Sequence, residues 1–216
     1  MEKIPNTART KVRRQPDQGR YDRATIDAIL DAGLVCQVGI VEDGLPVVIP
    51  MLYARDGERI ILHGSTASRL TKSLAAGLDV CVNVTLLDGL VLARSAFNAS
   101  MNYRSVVLFG TATAIEDPEQ KTQAMRLFSE HVMPGRWAEI RSPSAIELAA
   151  TRVLQMPIGE AVAKVRTGPP KDNVEDLELP VWAGVVPLAL RRGEIESDTP
   201  DREIPAYVVR DARFGR

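Results

Sequence analysis

The residues best suited to chemistry in this 216-residue chain lie in one segment, residues 63–72, which reads HGSTASRLTK. A strand is expected to end at the histidine, and a helix is expected to begin one or two residues after the glycine. Backbone N–H groups at a helix start attract anions. The polar residues of the segment follow an i, i+3, i+4, i+7 spacing, so they are predicted to share one helix face. They are Ser65, Ser68, Arg69 and Lys72. This pattern suits a phosphate monoester, but an ordinary capped amphipathic helix fits it equally well.

Few other residues offer an alternative chemistry. His63 and His131 are the only histidines, and neither has an acidic partner or a nucleophile elbow that would indicate a hydrolase triad. No G-x-G-x-x-G motif is present, so a Rossmann nicotinamide site is not supported. Cys36 and Cys81 lie in apolar runs, and their spacing matches no zinc motif. No metal site is therefore expected, and His63 is the sole candidate for a catalytic residue.

The elements that would position this segment are mainly strands. Between residues 34 and 115, six runs rich in Val, Ile, Leu and Thr are punctuated by Asp43-Gly44, Asp56-Gly57 and Asp88-Gly89, which favour tight hairpin turns. Hairpin-connected strands indicate an antiparallel barrel rather than a doubly wound sheet. Helices are predicted to begin after Asp22, after Asp117 and at the capping box Ser144-x-x-Glu147. A stripe of Met125, Phe128 and Val132 indicates that the second of these helices packs on another element.

Composition narrows the class of protein. The chain is 45% hydrophobic and 25% charged, with 27 basic and 28 acidic residues and a net charge of −1, as in ordinary globular proteins. A nucleic-acid partner is not expected, because such proteins are normally strongly basic. No apolar run is long enough to span a bilayer, and a secretory signal is absent, so a cytoplasmic setting is expected. We expect an extended arm (residues 1–22), one domain (23–190) and a charged tail (191–216).

Several of these segments together resemble a known family. The succession LPVVIPMLY, RIILHGSTASR, VCVNVTLLDGLVLARSAF and NYRSVVLFGTATAI, followed by WAGVVPL, is similar to the pyridoxamine 5′-phosphate oxidase-related FMN-binding split-barrel family. The branch it resembles contains the flavin-nucleotide-binding and nitroimidazole-resistance proteins. The resemblance implies a mainly β chain with flanking helices, folded as a six-stranded antiparallel split β-barrel. It also implies bound FMN and a homodimer with the flavin at the subunit interface.

The resemblance assigns residues to the flavin. The strand at 49–53 is expected along the isoalloxazine ring and ribityl chain, and the segment 63–69 at the phosphate. Asn83 and Thr85 are expected at the ring edge, and residues 103–105 complete the pocket from the same or a second subunit. The expected cofactor-binding residues are Ile49, Pro50, Met51, Leu52, Tyr53, His63, Gly64, Ser65, Ser68, Arg69, Lys72, Asn83, Thr85, Tyr103, Arg104 and Ser105.

Two departures exclude a genuine pyridoxamine phosphate oxidase. Those enzymes carry an Arg-Lys pair at the phosphate site, whereas here Arg69 is followed by Leu70 and only Lys72 could substitute. Their C-terminal Arg-x-His signature is missing. The expected function is therefore an FMN-dependent oxidoreductase that passes electrons from NAD(P)H to a small acceptor, with His63 tuning or gating the flavin. The alternative is a flavin-binding protein without turnover, or a haem-binding variant that uses a histidine.

Overall fold

A computed structural model describes residues 2–210, and its core is one antiparallel sheet. The strands are β1 (Gly19–Arg20), β2 (Val35–Glu42), β3 (Leu45–Asp56), β4 (Arg59–Ser65), β5 (Asp79–Leu92), β6 (Ser100–Thr111), β7 (Thr113–Ile115), β8 (Thr151–Pro157), β9 (Ala161–Arg166) and β10 (Gly184–Pro187). The helices are α1 (Arg23–Ala32), α2 (Arg69–Ala75), α3 (Pro118–Val132), α4 (Ala145–Ala150) and α5 (Ala206–Arg210).

The strand order confirms the split barrel. The path runs β1-β9-β6-β5-β2-β3-β4-β8-β7, with β10 added beside β5, and the two ends of the path do not pair with each other. The sheet is therefore curved but open. Residues 34–115 contain six strands, β2–β7, the number expected there, and four additional strands of the described chain (β1, β8, β9 and β10) lie outside that stretch. Among the additional ones, β8 follows α4 without a loop, so no turn signal marks its start.

Two of the three predicted hairpin turns are confirmed, and one is wrong. Asp43-Gly44 and Gly57 take positive φ angles at the β2–β3 and β3–β4 turns. Asp88-Gly89 instead lies inside β5, where the register against β6 shifts between Leu87 and Gly89 as a β-bulge. A side chain at Gly89 would come within 3.0 Å of the Val186 carbonyl oxygen in β10. The glycine therefore permits close strand pairing rather than a chain reversal.

The helix starts are mostly as predicted. The Asp22 carboxylate accepts from the Thr25 N–H at the start of α1, and Asp117 accepts from the Gln120 N–H at the start of α3. The capping box at Ser144 is also present. The exception is α2, which begins at residue 69 rather than 65 or 66.

The late start of α2 has a local cause. The N–H groups of residues 66–68 already donate to the Ala150 carbonyl, to the Ser65 hydroxyl and to the Ser65 carbonyl respectively. These bonds hold the chain in a turn, and β4 continues as far as Ser65. Ser65, one of the four polar residues expected on one helix face, therefore lies at the end of β4. The prediction that all four share a helix face is wrong.

Two apolar clusters lie on opposite faces of the barrel wall. Within β4, Ile60 and Leu62 belong to the main cluster inside the barrel, whereas Ile61 belongs to a second cluster with Phe128 of α3. Side chains alternate along a strand, so His63 lies on the same face as Ile61. The apolar stripe of α3 predicted from the sequence therefore packs on the outside of β3, β4 and β8.

The N-terminal arm contacts the barrel, and the C-terminal tail contacts the segment that follows α3. In the arm, Ile4 is buried, and the Thr7 hydroxyl and the Arg9 guanidinium donate to Glu160 before β9. The tail carries α5, and its residues 211–216 lie outside the described chain. Within residues 2–210, no helix combines the length and the apolar character that crossing a bilayer requires.

Candidate functional site

An apolar cavity of about 590 Å³ lies between the outer face of β3 and β4 and the C-terminal half of α3. The chain from 133 to 147 forms its other wall. Its volume is in the range typical of small-molecule and cofactor sites. The lining residues are Leu52, His63, Met125, Phe128, Ser129, Val132, Met133, Arg136, Trp137, Ile140, Arg141, Pro143 and Glu147.

His63 is the one imidazole that faces this cavity. Its ring lies 4.2 Å from the Phe128 ring, centroid to centroid, at an angle of 55°. The Nδ1 atom is buried and has no hydrogen-bond partner within residues 2–210. Burial lowers the pKa of His63 below its ordinary value, which keeps the imidazole neutral at neutral pH. A neutral imidazole is the form that binds metals, and a buried nitrogen without a partner is costly unless a ligand satisfies it.

The surroundings of His63 limit the kind of metal that it could bind. No group of three His, Cys, Asp or Glu side chains able to hold a metal ion exists in the described chain. His63 would therefore act as a lone protein ligand. Any metal held by it in this apolar cavity would have to bring its remaining ligands with it, as a metallated macrocycle does.

Two arginines provide the positive charge on the cavity lining. Both terminal nitrogens of Arg141 are engaged by the Glu147 carboxylate, at 2.6 and 2.8 Å. This guanidinium, together with the Ser144 N–H, lowers the pKa of Glu147 to about 2. Arg136 has a looser ion pair, because its Nη1 lies 3.5 Å from a Glu139 oxygen. The cavity thus combines an apolar interior with two cations: Arg141, which is paired with Glu147, and Arg136, whose guanidinium is more available to a ligand.

The segment expected to hold the flavin phosphate forms a tight turn between β4 and α2. The Thr71 hydroxyl donates to the Ser65 carbonyl at 2.7 Å, and lies 3.2 Å from the Ser68 carbonyl. Gly64 faces Thr71, and a Cβ atom at this position would lie only 2.7 Å from the Thr71 Cγ2 atom. Gly64 is therefore required for a close approach between strand and helix.

The cations of this segment are at the surface. Arg69 Nε lies 2.8 Å from a Glu42 carboxylate oxygen, and the Arg69 side chain is 75% exposed. The other Glu42 oxygen accepts from the Ser73 hydroxyl. Lys72 is exposed. Phosphate binding by Ser65, Ser68, Arg69 and Lys72 stays a prediction, with Arg69 held in an ion pair.

The residues expected beside the flavin ring on β5 and β6 occupy both faces of the sheet. Thr85 pairs with Ser105, and Leu87 with Tyr103, so these side chains share the outer face with Asn83. The Asn83 amide donates to the Val106 carbonyl, and its oxygen accepts from the Thr85 hydroxyl.

Arg104 lies on the opposite face of β6 from Tyr103 and Ser105. Its guanidinium makes a two-pronged ion pair with Asp88, at 2.9 and 2.7 Å. The structure therefore brings together four of the five predicted residues on these strands, and Arg104 is engaged elsewhere.

The side chains of residues 49–53, predicted to contact the flavin ring, also lie in different environments. Ile49 and Met51 pack on the barrel core, Pro50 is exposed on the outer face, and Leu52 lines the cavity. Tyr53 is fully buried, and its hydroxyl donates to the Leu30 carbonyl at the end of α1.

Sequence reasoning named only two residues of the cavity as site residues, Leu52 and His63. The stripe of Met125, Phe128 and Val132 was recognised, but only as a packing face. Arg136, Trp137 and Arg141 were not singled out as site residues, because no motif links them to His63. The available signal was the combination of a histidine at a strand end with an apolar helix stripe.

Comparison with known proteins finds a matching family model and similar solved structures. A family model described as pyridoxamine 5′-phosphate oxidase matches residues 22–165. Among curated proteins, no sequence matched. The chain is 43% identical to the flavocytochrome Anf3 from Azotobacter vinelandii, covering 94% of this chain and 96% of that one, with a TM-score of 0.89.

Two further solved structures are similar. The FAD and heme binding protein from Mycobacterium smegmatis is 38% identical over 89% of this chain and 96% of its own, with a TM-score of 0.84. A protein from Bacteroides thetaiotaomicron, provisionally named for 5-nitroimidazole antibiotic resistance, is 25% identical over 68% of this chain and 86% of its own, with a TM-score of 0.58. These relatives support flavin binding in general, but not FMN in particular.

Proposed function

The chain belongs to the pyridoxamine 5′-phosphate oxidase family, and within it we propose that this protein binds both a flavin and a haem and acts in electron transfer. The observation that carries the proposal is the buried, unpartnered Nδ1 of His63 beside an apolar cavity. The two relatives with 43% and 38% identity, named a flavocytochrome and an FAD and heme binding protein, support the same conclusion.

The cavity fits a haem in size and in chemistry. Haem iron takes four nitrogen ligands from its macrocycle, so a single protein imidazole is enough to hold it. His63 would be that ligand, with Phe128 packed beside it. The macrocycle is apolar apart from its two carboxylates, and Arg136 would receive one of them at the lining, since Arg141 is already paired with Glu147. When bound, the haem would supply one-electron redox chemistry.

The flavin is proposed to bind beside the turn at residues 64–68. FMN, the expected cofactor, ends in a phosphate monoester that carries nearly two negative charges at neutral pH, as phosphate monoesters in proteins do. The charge of Arg69 is already offset by Glu42, which weakens the case for such a dianion. FAD divides the same total charge between two phosphates, so neither phosphate needs full compensation at one point, and the relative from Mycobacterium smegmatis is named for FAD. We therefore favour FAD over FMN.

A second copy of this chain is the proposed partner. The outer face of β2, β3 and β5 exposes large aliphatic side chains, including Val41 at 62% and Val48 at 65% of their surface. The predicted flavin residues Asn83 and Thr85 lie on the same face. Exposed apolar patches of this kind are typical of protein–protein interfaces, where a partner removes them from water. Val48→Glu should shift the protein from dimer to monomer in light-scattering chromatography, and an unchanged mass distribution would contradict this interface.

The decisive experiment compares the two histidines. The purified protein, expressed with haem supplementation, should show a Soret band and a flavin spectrum, and denaturation should release FAD. His63→Ala should remove the Soret band but leave the flavin. His131→Ala is the matched control, because His131 contacts the Gly33 carbonyl away from the cavity lining, and it should retain both. A Soret band of full intensity in His63→Ala would refute the assignment.

Electron input is tested on the same preparation. We propose NAD(P)H as the donor to the flavin, and a small acceptor or the haem as the recipient. Anaerobic mixing with NADH or NADPH should bleach the flavin absorbance. A protein that holds its flavin but is not reduced by either nucleotide would instead be a binding protein without turnover of its own.

A further inference from the structure

The C-terminal helix α5 contacts the chain segment that forms one wall of the cavity. The Tyr207 ring of α5 packs directly on Gly135, where an added Cβ would lie 3.2 Å from the ring carbon Cγ. Gly135 has a φ angle of +93°, a conformation that glycine adopts without strain. In addition, the Arg192 guanidinium donates to the Val209 carbonyl at 2.8 Å. The helix is therefore attached at two points although it has only five residues.

The Tyr207 hydroxyl lies between two charged groups of the cavity wall. It donates to a Glu139 carboxylate oxygen at 2.6 Å and accepts from Arg136 Nη1 at 3.2 Å. The same Glu139 oxygen is 3.5 Å from Arg136 Nη1. Because the hydroxyl occupies this position, Glu139 does not form a close two-pronged pair with Arg136.

As a result, Arg136 has more hydrogen-bond donors available to a ligand than Arg141 has. Both terminal nitrogens of Arg141 are bound to Glu147. Arg136 uses only Nη1, and its Nε and Nη2 atoms make no hydrogen bond within residues 2–210. Its side chain is 49% exposed. A carboxylate that reached this wall would therefore find its available donors on Arg136.

We propose that Tyr207 is a positioning residue, which holds the Arg136 guanidinium so that its open side receives a carboxylate of the haem. The inference rests on the proposed haem site. On this proposal α5 helps to retain the haem without contacting it, because Tyr207 acts through Arg136.

The test measures haem release into excess apomyoglobin, with native haem and with its dimethyl ester, which lacks free carboxylates. Tyr207→Phe keeps the ring on Gly135 but removes the hydroxyl. It should release native haem roughly twofold to tenfold faster than the unchanged protein, the range expected for one hydrogen bond. It should release the dimethyl ester at the unchanged rate. Arg136→Gln should behave in the same way, and adding Tyr207→Phe to it should have no further effect.

Tyr21→Phe is the matched control. Tyr21 also has a hydrogen-bonded hydroxyl, which donates to the Thr10 carbonyl in the N-terminal arm. This variant should release both haems at the unchanged rate. Equal acceleration for native haem and ester in Tyr207→Phe would indicate general loosening and overturn the inference, as would no acceleration. If the unchanged protein takes up no haem, the proposed function itself fails, which is a distinguishable result.

Discussion

Gly64→Ala tests the close approach between β4 and α2 on which the proposed flavin segment depends. The added Cβ would lie 2.7 Å from Thr71 Cγ2, whereas ordinary contacts begin at 3.4 Å, so one of the two groups must move by about 0.7 Å. Thr71 is fully buried, and its hydroxyl is held by the Ser65 carbonyl. It cannot move without weakening that bond.

The expected cost follows from overpacking in a buried position. Inserting one carbon into a well-packed site typically destabilises a protein by about 1–3 kcal/mol. For a chain of this length each kcal/mol corresponds to about 2–4 °C, so the melting temperature should fall by about 2–12 °C. Flavin affinity should fall as well, because Thr71 anchors the turn at residues 65–68. Differential scanning calorimetry and flavin titration measure the two effects.

A second substitution isolates the cause. Thr71→Ser removes the Cγ2 methyl group but keeps the hydroxyl that bonds to Ser65. The double variant Gly64→Ala with Thr71→Ser should regain most of the lost stability and flavin affinity, and Thr71→Ser alone serves as the control. If the double variant is no more stable than Gly64→Ala, the clash with Thr71 is not the cause and the reasoning is refuted.

Two further predictions concern buried polar groups. Tyr53→Phe should lower the free energy of unfolding by about 1–3 kcal/mol in urea titration, because it leaves the buried Leu30 carbonyl without its donor; an unchanged value would show that the bond contributes nothing net. Because burial lowers the pKa of His63, the unfolded state binds more protons as the pH falls through about 6.5. The haem-free protein should therefore lose stability on acidification through that range, and His63→Leu should lose less; equal losses would contradict the burial of a neutral imidazole.

The parts of the fold that could be predicted from the sequence are those governed by neighbouring residues. Asp22, Asp117 and Ser144 each bond to a backbone N–H three residues later, so the helix starts are encoded locally. Two Asp-Gly turns were found for the same reason. The open antiparallel barrel followed from these turns together with the family resemblance.

The failures arise where a distant segment determines the local structure. Gly89 reads as a turn residue, but β10, almost one hundred residues later, pairs beside it, and β5 continues through a bulge instead of reversing. The start of α2 is displaced because Ala150 binds the N–H of Thr66. Neither partner can be identified from local sequence patterns, since each depends on tertiary pairing.

In the candidate site, too, sequence reasoning succeeded for local features and failed where distant segments meet. His63 was singled out because of its type and its place at a strand end, and the structure places it on the cavity lining, but its role stays a prediction. Which face it occupies could not be inferred, because the apolar residues 60–62 form an unbroken run in which both faces of β4 are buried. Arg136 and Tyr207 could not be connected to it, because they meet only where α5 packs on residues 135–139, far from Tyr207 in sequence.

The register of β4 links the two proposed cofactor sites. His63 faces the cavity, whereas Gly64 faces Thr71, whose hydroxyl anchors the turn proposed for the flavin, so β4 positions elements of both proposed sites. Because side chains alternate along a strand, a shift of one residue would exchange these faces and place the imidazole against Thr71. β4 is paired with β8 along its whole length, from Arg59 to Ser65, which resists such a shift. The relative position of the two sites is therefore fixed by the backbone ladder between β4 and β8, and loop substitutions should leave it unchanged.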